Sequence, residues 1–168
     1  MSAVRHTPHQ AGQHSHKAAS MTNPAHSKGA TILVAEDDED NRDILRTLLT
    51  LRGFEVLEAA DGQQAVELAR TACPDLILMD LKMPVMNGLA AARAIRQRPE
   101  PHLRAIPIVA LSAYHPSQHG AVAFAAGCDD YVLKPTNYEH LEAVIDRLLK
   151  RATDADAEGQ PLGDTLTA

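Results

Sequence analysis

The sequence predicts an α/β fold in which helices cover both faces of a doubly wound, five-stranded parallel sheet. Between residues 30 and 151, five short apolar runs alternate with five amphipathic helical patterns. Such an alternation is typical of parallel strands joined by right-handed helical crossovers. The strand segments are apolar almost throughout, as expected when a sheet is buried on both faces. The predicted architecture is therefore a three-layer sandwich.

Composition places this fold in one domain with a polar segment on each side. The chain has 168 residues, of which 45% are hydrophobic, enough for the core of a single domain. Residues 1–28 contain five histidines and almost no large apolar side chain, and residues 152–168 are also mostly polar. Such segments bury too little apolar surface to offset the entropy of ordering. We expect a disordered His-rich tail, a domain at 30–151 and a second disordered tail.

Charge and hydropathy limit the partners that the chain is expected to bind. The net charge is -6, Trp is absent and aromatic residues make up 3%, which argues against direct contact with nucleic acid. No apolar run approaches the roughly 20 residues of a membrane span, and no signal peptide is recognisable, so we expect a cytoplasmic protein without membrane contact. Cys73 and Cys128 lack metal-site spacing and are predicted to be buried thiols.

The first strand and helix bring an acidic run to one edge of the sheet. Residues 32–35 are apolar and lead directly into Glu36 and Asp37. A helix is predicted from about Asp40 to Arg52, with Gly53 as its C-terminal cap. The later acids of the run, residues 38–40, lie at the first turn of this helix, where they complement its dipole.

The second strand and helix are ordinary, whereas the third strand carries the candidate reacting residue. A short strand around Val56 precedes a helix that begins with Asp61 and Gln64 in a variant capping box. The third strand, residues 76–79, then ends at Asp80. Chemistry in open parallel sheets collects beyond the carboxyl ends of the strands, which makes Asp80 the candidate nucleophile.

Polar residues also follow the fourth and fifth strands. After the Asp80 loop, a helix is predicted from about Leu89 to before Pro99, and the next strand, residues 106–111, leads to Ser112. A weak helix over residues 117–126 precedes a strand at residues 131–133, which delivers Lys134. Asn137 caps a last helix that is predicted to end near Arg151.

The strand ends together predict one polar site with a metal ion. Glu36, Asp37, Asp80, Ser112 and Lys134 all follow strands whose carboxyl ends share one edge. Carboxylates held about 5 Å apart repel by roughly 3 kcal/mol per pair at an effective dielectric near 20, so the cluster requires a cation. An oxygen-only site with an open side favours Mg²⁺. Two charges from the metal and one from Lys134 balance three carboxylates, which leaves a site suited to a phosphoryl group.

Four sequence motifs in order resemble the receiver domain of two-component response regulators, which is CheY-like and flavodoxin-like in fold. The resemblance covers about residues 30–151 and rests on the segments ILVAEDD, DLILMDLKMP-x-x-NG, IPIVALSA and YVLKP. It implies a phosphoprotein that accepts a phosphoryl group in a phosphorelay. The roles that it implies are a phosphoacceptor (Asp80), metal ligands (Glu36, Asp37, Asp80 and the Lys82 backbone carbonyl), switch residues (Ser112 and Tyr131), a phosphate-sensing lysine (Lys134) and a cis proline (Pro135).

Two positions depart from the family pattern. The family often has Asp where Glu36 stands, and the longer Glu36 side chain is expected to reach the metal through water. Thr136 replaces the Phe that often follows the Lys-Pro pair. Neither departure removes a reacting group.

The resemblance implies a receiver that accepts a phosphoryl group on Asp80 from a sensor histidine kinase or histidine phosphotransfer protein, and the short segment after Arg151 predicts that this receiver stands alone. Only seventeen residues follow Arg151, so its output is expected to be contact with an unknown downstream protein, and it is not expected to be an enzyme beyond its own phosphorylation and dephosphorylation. The alternatives are a degenerate receiver that binds partners without phosphorylation and an aspartyl-phosphate phosphatase of the haloacid dehalogenase type. Such phosphatases have D-x-D, whereas Lys82 stands two residues after Asp80. A flavin-binding module is disfavoured by the acidic run after the first strand.

Overall fold

The computed structural model describes residues 29–158, in which five parallel strands form one sheet in the order β2-β1-β3-β4-β5. The predicted α/β class and doubly wound parallel sheet are confirmed. Neighbouring strands pair in register, for example Ala35 of β1 with Met79 of β3 and Asp80 of β3 with Leu111 of β4. The strands are β1 (Thr31–Ala35), β2 (Glu55–Ala59), β3 (Leu76–Asp80), β4 (Ile108–Ser112) and β5 (Asp130–Leu133).

Six helices connect and flank these strands. They are α1 (Glu39–Leu51), α2 (Gly62–Ala72), α3 (Gly88–Arg96), α4 (Pro101–Ala105), α5 (Pro116–Ala125) and α6 (Tyr138–Glu158). Helices α1 and α6 pack on one face of the sheet, against β-strand residues such as Ile32 and Val34. Helices α2 to α5 cover the other face, against residues such as Leu33 and Ile77. Alternating side chains of each strand therefore supply two separate cores, which is the predicted three-layer arrangement.

Side-chain caps fix the starts of the first two helices: the Asp61 cap was predicted, whereas Asp38, predicted to lie in the first turn of α1, is its N-cap. Asp38 precedes α1 and accepts a hydrogen bond from the Asn41 amide at 2.9 Å. Asp61 accepts from the Gln64 amide at 2.9 Å, while the Gln64 side chain accepts from the Ala60 amide at 3.2 Å. Both caps satisfy amides that the first helical turn leaves without partners.

Helix α4 was not predicted. No element was assigned from the sequence between the helix that ends before Pro99 and the strand from residue 106. Pro101 stands in the first turn of this five-residue helix, where a missing amide costs nothing. The Arg96 guanidinium holds the segment in place because it donates hydrogen bonds to the carbonyls of Leu103 at 3.4 Å and Ile106 at 2.8 Å. This anchoring comes from α3 and so leaves no signal within the α4 sequence.

Helix α6 continues to Glu158, so the predicted end near Arg151 was wrong, as was a disordered tail from residue 152. Residues 152–158 contain alanines and acids with no Gly or Pro, and the first helix breaker is Gly159. The helix therefore persists beyond its last apolar contact, Leu149. The predicted disorder of residues 1–28 and 159–168 lies outside the described residues.

The two cysteines differ in burial. Cys128 is buried as predicted, but Cys73 is exposed. Cys73 caps the end of α2 in a left-handed conformation, with φ at 47°, which takes its side chain out of the apolar helix face. Within residues 29–158, no helix combines the length and apolar character needed to cross a bilayer.

Candidate functional site

Three carboxylates meet at the carboxyl edge of the sheet. Glu36 and Asp37 follow β1, and Asp80 is the last residue of the adjacent strand β3. One oxygen of each carboxylate lies within 4.8 Å of the others. Glu36 and Asp80 are buried, whereas Asp37 is exposed, so the cluster opens to solvent on the Asp37 side. The predicted convergence of these three residues is thus present in the folded chain.

Lys134 joins two of these carboxylates although it follows β5, on the far side of β4. Its Nζ lies 2.5 Å from Glu36 Oε2 and 2.6 Å from Asp80 Oδ2. The backbone amide of Lys134 donates to the carbonyl of Ser112 at 2.7 Å, which fixes the start of the lysine side chain at the end of β4. The ammonium group therefore supplies one positive charge between two buried negative charges.

Burial and charge act in opposite directions on this cluster. Burial raises the pKa of Glu36, and the hydrogen bond and positive charge of Lys134 offset this only in part. For Lys134, burial lowers the pKa, but the bonds and charges of Asp80 and Glu36 together outweigh it, so its pKa is raised. Lys134 is consequently charged at neutral pH. Glu36 is only 1% exposed and depends on that charge to remain ionised.

The loop after β3 packs tightly around Asp80. The Lys82 amide donates to Asp80 Oδ1 at 2.9 Å, so both carboxylate oxygens have a partner. Gly88 begins α3 where a Cβ atom would lie 2.1 Å from the Asp80 carbonyl oxygen. Asn87 caps α3 by accepting from the Ala90 amide at 2.9 Å. The Asn-Gly pair thus turns the chain at a position where no larger residue fits.

Ser112 and Tyr131 are buried, but their hydroxyl groups bond the backbone of Tyr114. Ser112 Oγ accepts from the Tyr114 amide at 3.2 Å, and the Tyr131 hydroxyl donates to the Tyr114 carbonyl at 2.5 Å. Ser112 is 3% exposed and Tyr131 is 7% exposed. The loop after β4 is therefore held by both residues. The peptide bond between Lys134 and Pro135 is cis, as the resemblance implies.

Arg42 is a site residue that sequence reasoning missed. Its guanidinium donates to the Glu36 carbonyl at 2.9 Å and lies 3.4 Å from the Glu58 carboxylate. It thereby ties the acidic turn after β1 to the first turn of α1 and to β2. The sequence position of Arg42 could have indicated this contact, because a long cationic side chain one turn into α1 reaches back to the preceding loop.

The donor set fits a hard divalent cation. All three carboxylates offer oxygen atoms, and one side of the cluster faces solvent, where water or a ligand oxygen can complete the coordination. The Lys82 main chain lies beside Asp80, since its amide bonds the Asp80 carboxylate. Neither sulfur nor imidazole belongs to this cluster, which favours Mg²⁺ over a softer metal.

Comparison with known sequences identifies the family. The sequence profile of the response regulator receiver domain matches residues 32–146, which include every residue of the cluster. The chain belongs to the response regulator receiver family. Receivers are signalling domains of two-component systems, and the predicted recognition of this chain as CheY-like is confirmed.

Curated relatives of this receiver are longer proteins. The DNA-binding response regulator MtrA of Mycolicibacterium smegmatis is 35% identical over 133 residues, which make up 79% of this chain and 56% of that protein. The hybrid signal transduction histidine kinase I of Dictyostelium discoideum is 40% identical over 119 residues, covering 68% of this chain but 7% of that protein. The chain thus spans about half the length of MtrA and a small fraction of the kinase.

Solved structures of other receivers have the same fold. The receiver domain of the sensor histidine kinase PA1611 from Pseudomonas aeruginosa is 34% identical and superimposes with a TM-score of 0.67, covering 73% of this chain and 98% of that one. That structure has a magnesium ion coordinated in its active site cleft. The chemotaxis response regulator CheY4 of Vibrio cholerae is 30% identical with a TM-score of 0.66, over 71% of this chain and 98% of CheY4.

Proposed function

We propose that this receiver accepts a phosphoryl group on Asp80 in a Mg²⁺-dependent reaction and transmits the signal through a conformational change and protein contact. The donor is a phosphohistidine of a sensor histidine kinase or a histidine phosphotransfer protein. The observation that carries the proposal is the position of Asp80, a buried strand-end carboxylate that shares one cluster with Glu36, Asp37 and Lys134.

The proposed reaction transfers phosphorus from nitrogen to oxygen. An Asp80 carboxylate oxygen attacks phosphorus, forming an O–P bond as the P–N bond of the phosphohistidine breaks. The electron pair of that bond goes to the leaving imidazole, which takes up a proton. Asp80 Oδ2 bonds Lys134 and Oδ1 bonds the Lys82 amide, and each oxygen keeps a second lone pair with which it can attack phosphorus.

Glu36, Asp37, Asp80 and the Lys82 carbonyl are the proposed metal ligands. When bound, Mg²⁺ supplies positive charge that neutralises the phosphoryl oxygens. Two features of the chain support these assignments: the carboxylate oxygens lie within 4.8 Å of one another, and Asp37 is exposed toward solvent. Coordination of Glu36 through water stays a prediction. Glu36 also positions the Lys134 ammonium group, because its Oε2 accepts a hydrogen bond from Lys134 Nζ.

Lys134 and Ser112 are the proposed contacts of the phosphorylated state. The Lys134 ammonium bonds Asp80 directly and is therefore within reach of a phosphoryl group attached there. The Ser112 hydroxyl accepts from the Tyr114 amide, so its own O–H remains available to donate to a phosphoryl oxygen. Because Ser112 and Tyr131 both hold the Tyr114 backbone, movement of Ser112 toward the phosphoryl group loosens one of two restraints on this loop.

The signal is proposed to reach the surface formed by α5, β5 and α6. Several large apolar side chains of this surface are exposed, namely Val122, Phe124, Leu133 and Tyr138. Exposed apolar groups of this kind favour contact with another protein. The Tyr131 side chain is already buried, so an inward movement of this switch residue is not needed on phosphorylation. The switch we propose therefore acts through the Tyr114 loop instead.

Three expectations about the whole protein remain predictions. They are action without an attached output domain, a cytoplasmic location and the absence of direct contact with nucleic acid. Relatives that include a DNA-binding regulator extend beyond the matched segment, so they do not decide these points for this chain. Activity limited to its own phosphorylation and dephosphorylation also stays a prediction, as does the alternative of a degenerate receiver.

Intact-protein mass spectrometry tests the proposed function. Incubation with acetyl phosphate and Mg²⁺ is expected to add one phosphoryl group to the wild-type protein, and chelation of the metal should prevent it. Asp80→Asn should remain unmodified, whereas Asp75→Asn, which alters an exposed aspartate before the same strand, should be modified like the wild type. Uptake that persists in Asp80→Asn or without Mg²⁺ contradicts the proposal.

A further inference from the structure

A cavity lies at the end of the sheet opposite the carboxylate cluster. It has a volume of about 380 Å³ and is bordered by residues that precede β3, β4 and β5, by α4 and by the middle turns of α6. This volume is near the lower limit of the roughly 300–1,000 Å³ that is typical of small-molecule pockets. Its lining includes Cys73, Asp75, His102, Ile106, Leu148 and Arg151.

Two of the structural features that the sequence did not predict form walls of this cavity. Helix α4 contributes His102 and Ala105, and the part of α6 beyond Arg151 contributes Ala152. The deeper surface is apolar, with Ile106 7% exposed and Leu148 2% exposed. An apolar body can therefore lie against the floor while polar groups meet the rim.

The acidic groups of the rim already have partners. Asp129 Oδ2 accepts from the Ile108 amide and from the Arg96 guanidinium, both at 2.8 Å, which neutralises its charge. Asp75 Oδ2 accepts from the Thr31 amide at 2.7 Å. These bonds fix both carboxylates as parts of the scaffold, where they close the starts of β1 and β4.

The basic groups of the rim are not occupied in the same way. Neither the Arg151 guanidinium nor the His102 imidazole forms a hydrogen bond or ion pair with another side chain of residues 29–154, the range over which side chains are described. Arg151 offers a fixed positive charge with several N–H donors, and the histidine ring offers one N–H donor in either neutral tautomer. The unused binding capacity of the rim is thus mainly that of hydrogen-bond donors and positive charge.

We propose that this cavity binds a small organic acid, with its apolar body against Ile106 and Leu148 and its carboxylate at Arg151 and His102. Donors without protein partners favour an acceptor, and a carboxylate meets a guanidinium with two parallel hydrogen bonds. A ligand amine could pair only with Asp75, because Asp129 is already paired with Arg96, whereas a carboxylate meets both Arg151 and His102. The binding site is separate from the phosphoacceptor site and does not depend on its proposed chemistry.

Cys73 gives a direct measure of occupancy because its exposed thiol lines the cavity. The other cysteine, Cys128, is buried, and burial raises its pKa to about 11, so it stays unreactive near neutral pH. The rate of Cys73 alkylation by iodoacetamide, a neutral reagent, is measured by mass spectrometry in the full chain. The probe is 4-phenylbutyrate, compared with the matched neutral 4-phenylbutan-1-ol and cationic 4-phenylbutylamine.

We expect 4-phenylbutyrate to slow alkylation at a lower concentration than the alcohol, and the amine to be the weakest of the three. Arg151→Gln should weaken protection by the acid about three- to fivefold while leaving the alcohol unchanged, as for loss of an exposed ion pair. The matched control Arg104→Gln removes an exposed arginine of α4 that does not line the cavity and should behave like the wild type. Ala152→Trp should fill the cavity and remove protection.

Three results overturn the proposal. Equal protection by acid, alcohol and amine means that the rim does not select an anion. Protection that survives Ala152→Trp, or is absent for all three probes in the wild type, means that the cavity does not bind such ligands. Circular dichroism shows whether each variant is folded. If Arg151→Gln is unfolded, His102→Gln serves as the second variant, because it removes a donor of the rim without removing a permanent charge.

Discussion

Removing the Lys134 ammonium should destabilise the protein by leaving two buried carboxylates without their cation. In Lys134→Met the side-chain volume is nearly kept, but Glu36 and Asp80 lose the contacts of 2.5 Å and 2.6 Å. The carboxylate oxygens of the cluster lie within 4.8 Å of one another, where two unit charges repel by about 3 kcal/mol at an effective dielectric near 20. Breaking a buried ion pair on one side costs about 3–5 kcal/mol. We expect the free energy of unfolding to fall by about 3 kcal/mol.

The loss should depend on pH in a defined direction. The pKa of Glu36 is raised in the folded state by burial, so the stability linked to its protonation is present at low pH and is lost as pH rises through the folded pKa. Without Lys134, which lowers that pKa, the folded pKa rises further. The deficit of Lys134→Met should therefore be small near pH 4 and grow toward pH 8. Excess Mg²⁺ should narrow it by supplying the missing charge.

Urea unfolding followed by circular dichroism measures this deficit, in metal-free buffer and again with Mg²⁺. Lys150→Met is the matched control, because it removes an exposed lysine of α6 and should change stability by less than about 0.5 kcal/mol. A Lys134→Met protein as stable as the wild type at neutral pH without metal refutes the account of this cluster.

Three further changes test other contacts by urea or thermal unfolding. Gly88→Ala should cost about 3 kcal/mol because its Cβ would lie 2.1 Å from the Asp80 carbonyl oxygen. Gly120→Ala is the control in α5, where a Cβ would make ordinary contacts at 3.5 Å and 3.8 Å, and it should stabilise by about 0.5–1 kcal/mol; equal effects contradict this packing. Tyr131→Phe should lose about 1 kcal/mol with its bond to Tyr114, and an unchanged midpoint removes that contact from the account. Burial raises the pKa of the Cys128 thiol to about 11, so the free energy of unfolding of the wild type, relative to that of Cys128→Ala, should fall by up to about 3 kcal/mol as pH rises from about 9 to about 11. A difference between the two proteins that stays constant over this range contradicts the raised pKa.

The convergence of the site could be predicted from sequence because it follows from topology. Asp80 ends β3 and Glu36 follows β1, and parallel neighbours bring such ends together whatever the details of packing. The caps of α1 and α2 were predictable for a similar reason, since Asp38 and Asp61 act within three residues of their own positions.

Features that depend on contacts between distant segments could not be predicted. The Arg96 side chain donates hydrogen bonds to the carbonyls of Gly127, Leu103 and Ile106. These bonds hold α4 in a segment for which no helix was predicted. The position of Arg42 against Glu36 and the cavity beside α6 likewise require the packed structure. Such arrangements follow from side-chain packing between elements, which leaves no periodic pattern in the chain.

Mapping the phosphorylated residue tests the central claim most directly. After incubation with acetyl phosphate and Mg²⁺, borohydride reduces an aspartyl phosphate to homoserine, and peptide mass spectrometry locates that residue. The account predicts homoserine at position 80 and at no other acid of the cluster, because Asp80 alone pairs strand-end burial with direct bonds to Lys134 and the Lys82 amide. Homoserine at Asp37, or 5-hydroxynorvaline (the product of a reduced glutamyl phosphate) at Glu36, with Asp80 unmodified, would contradict it.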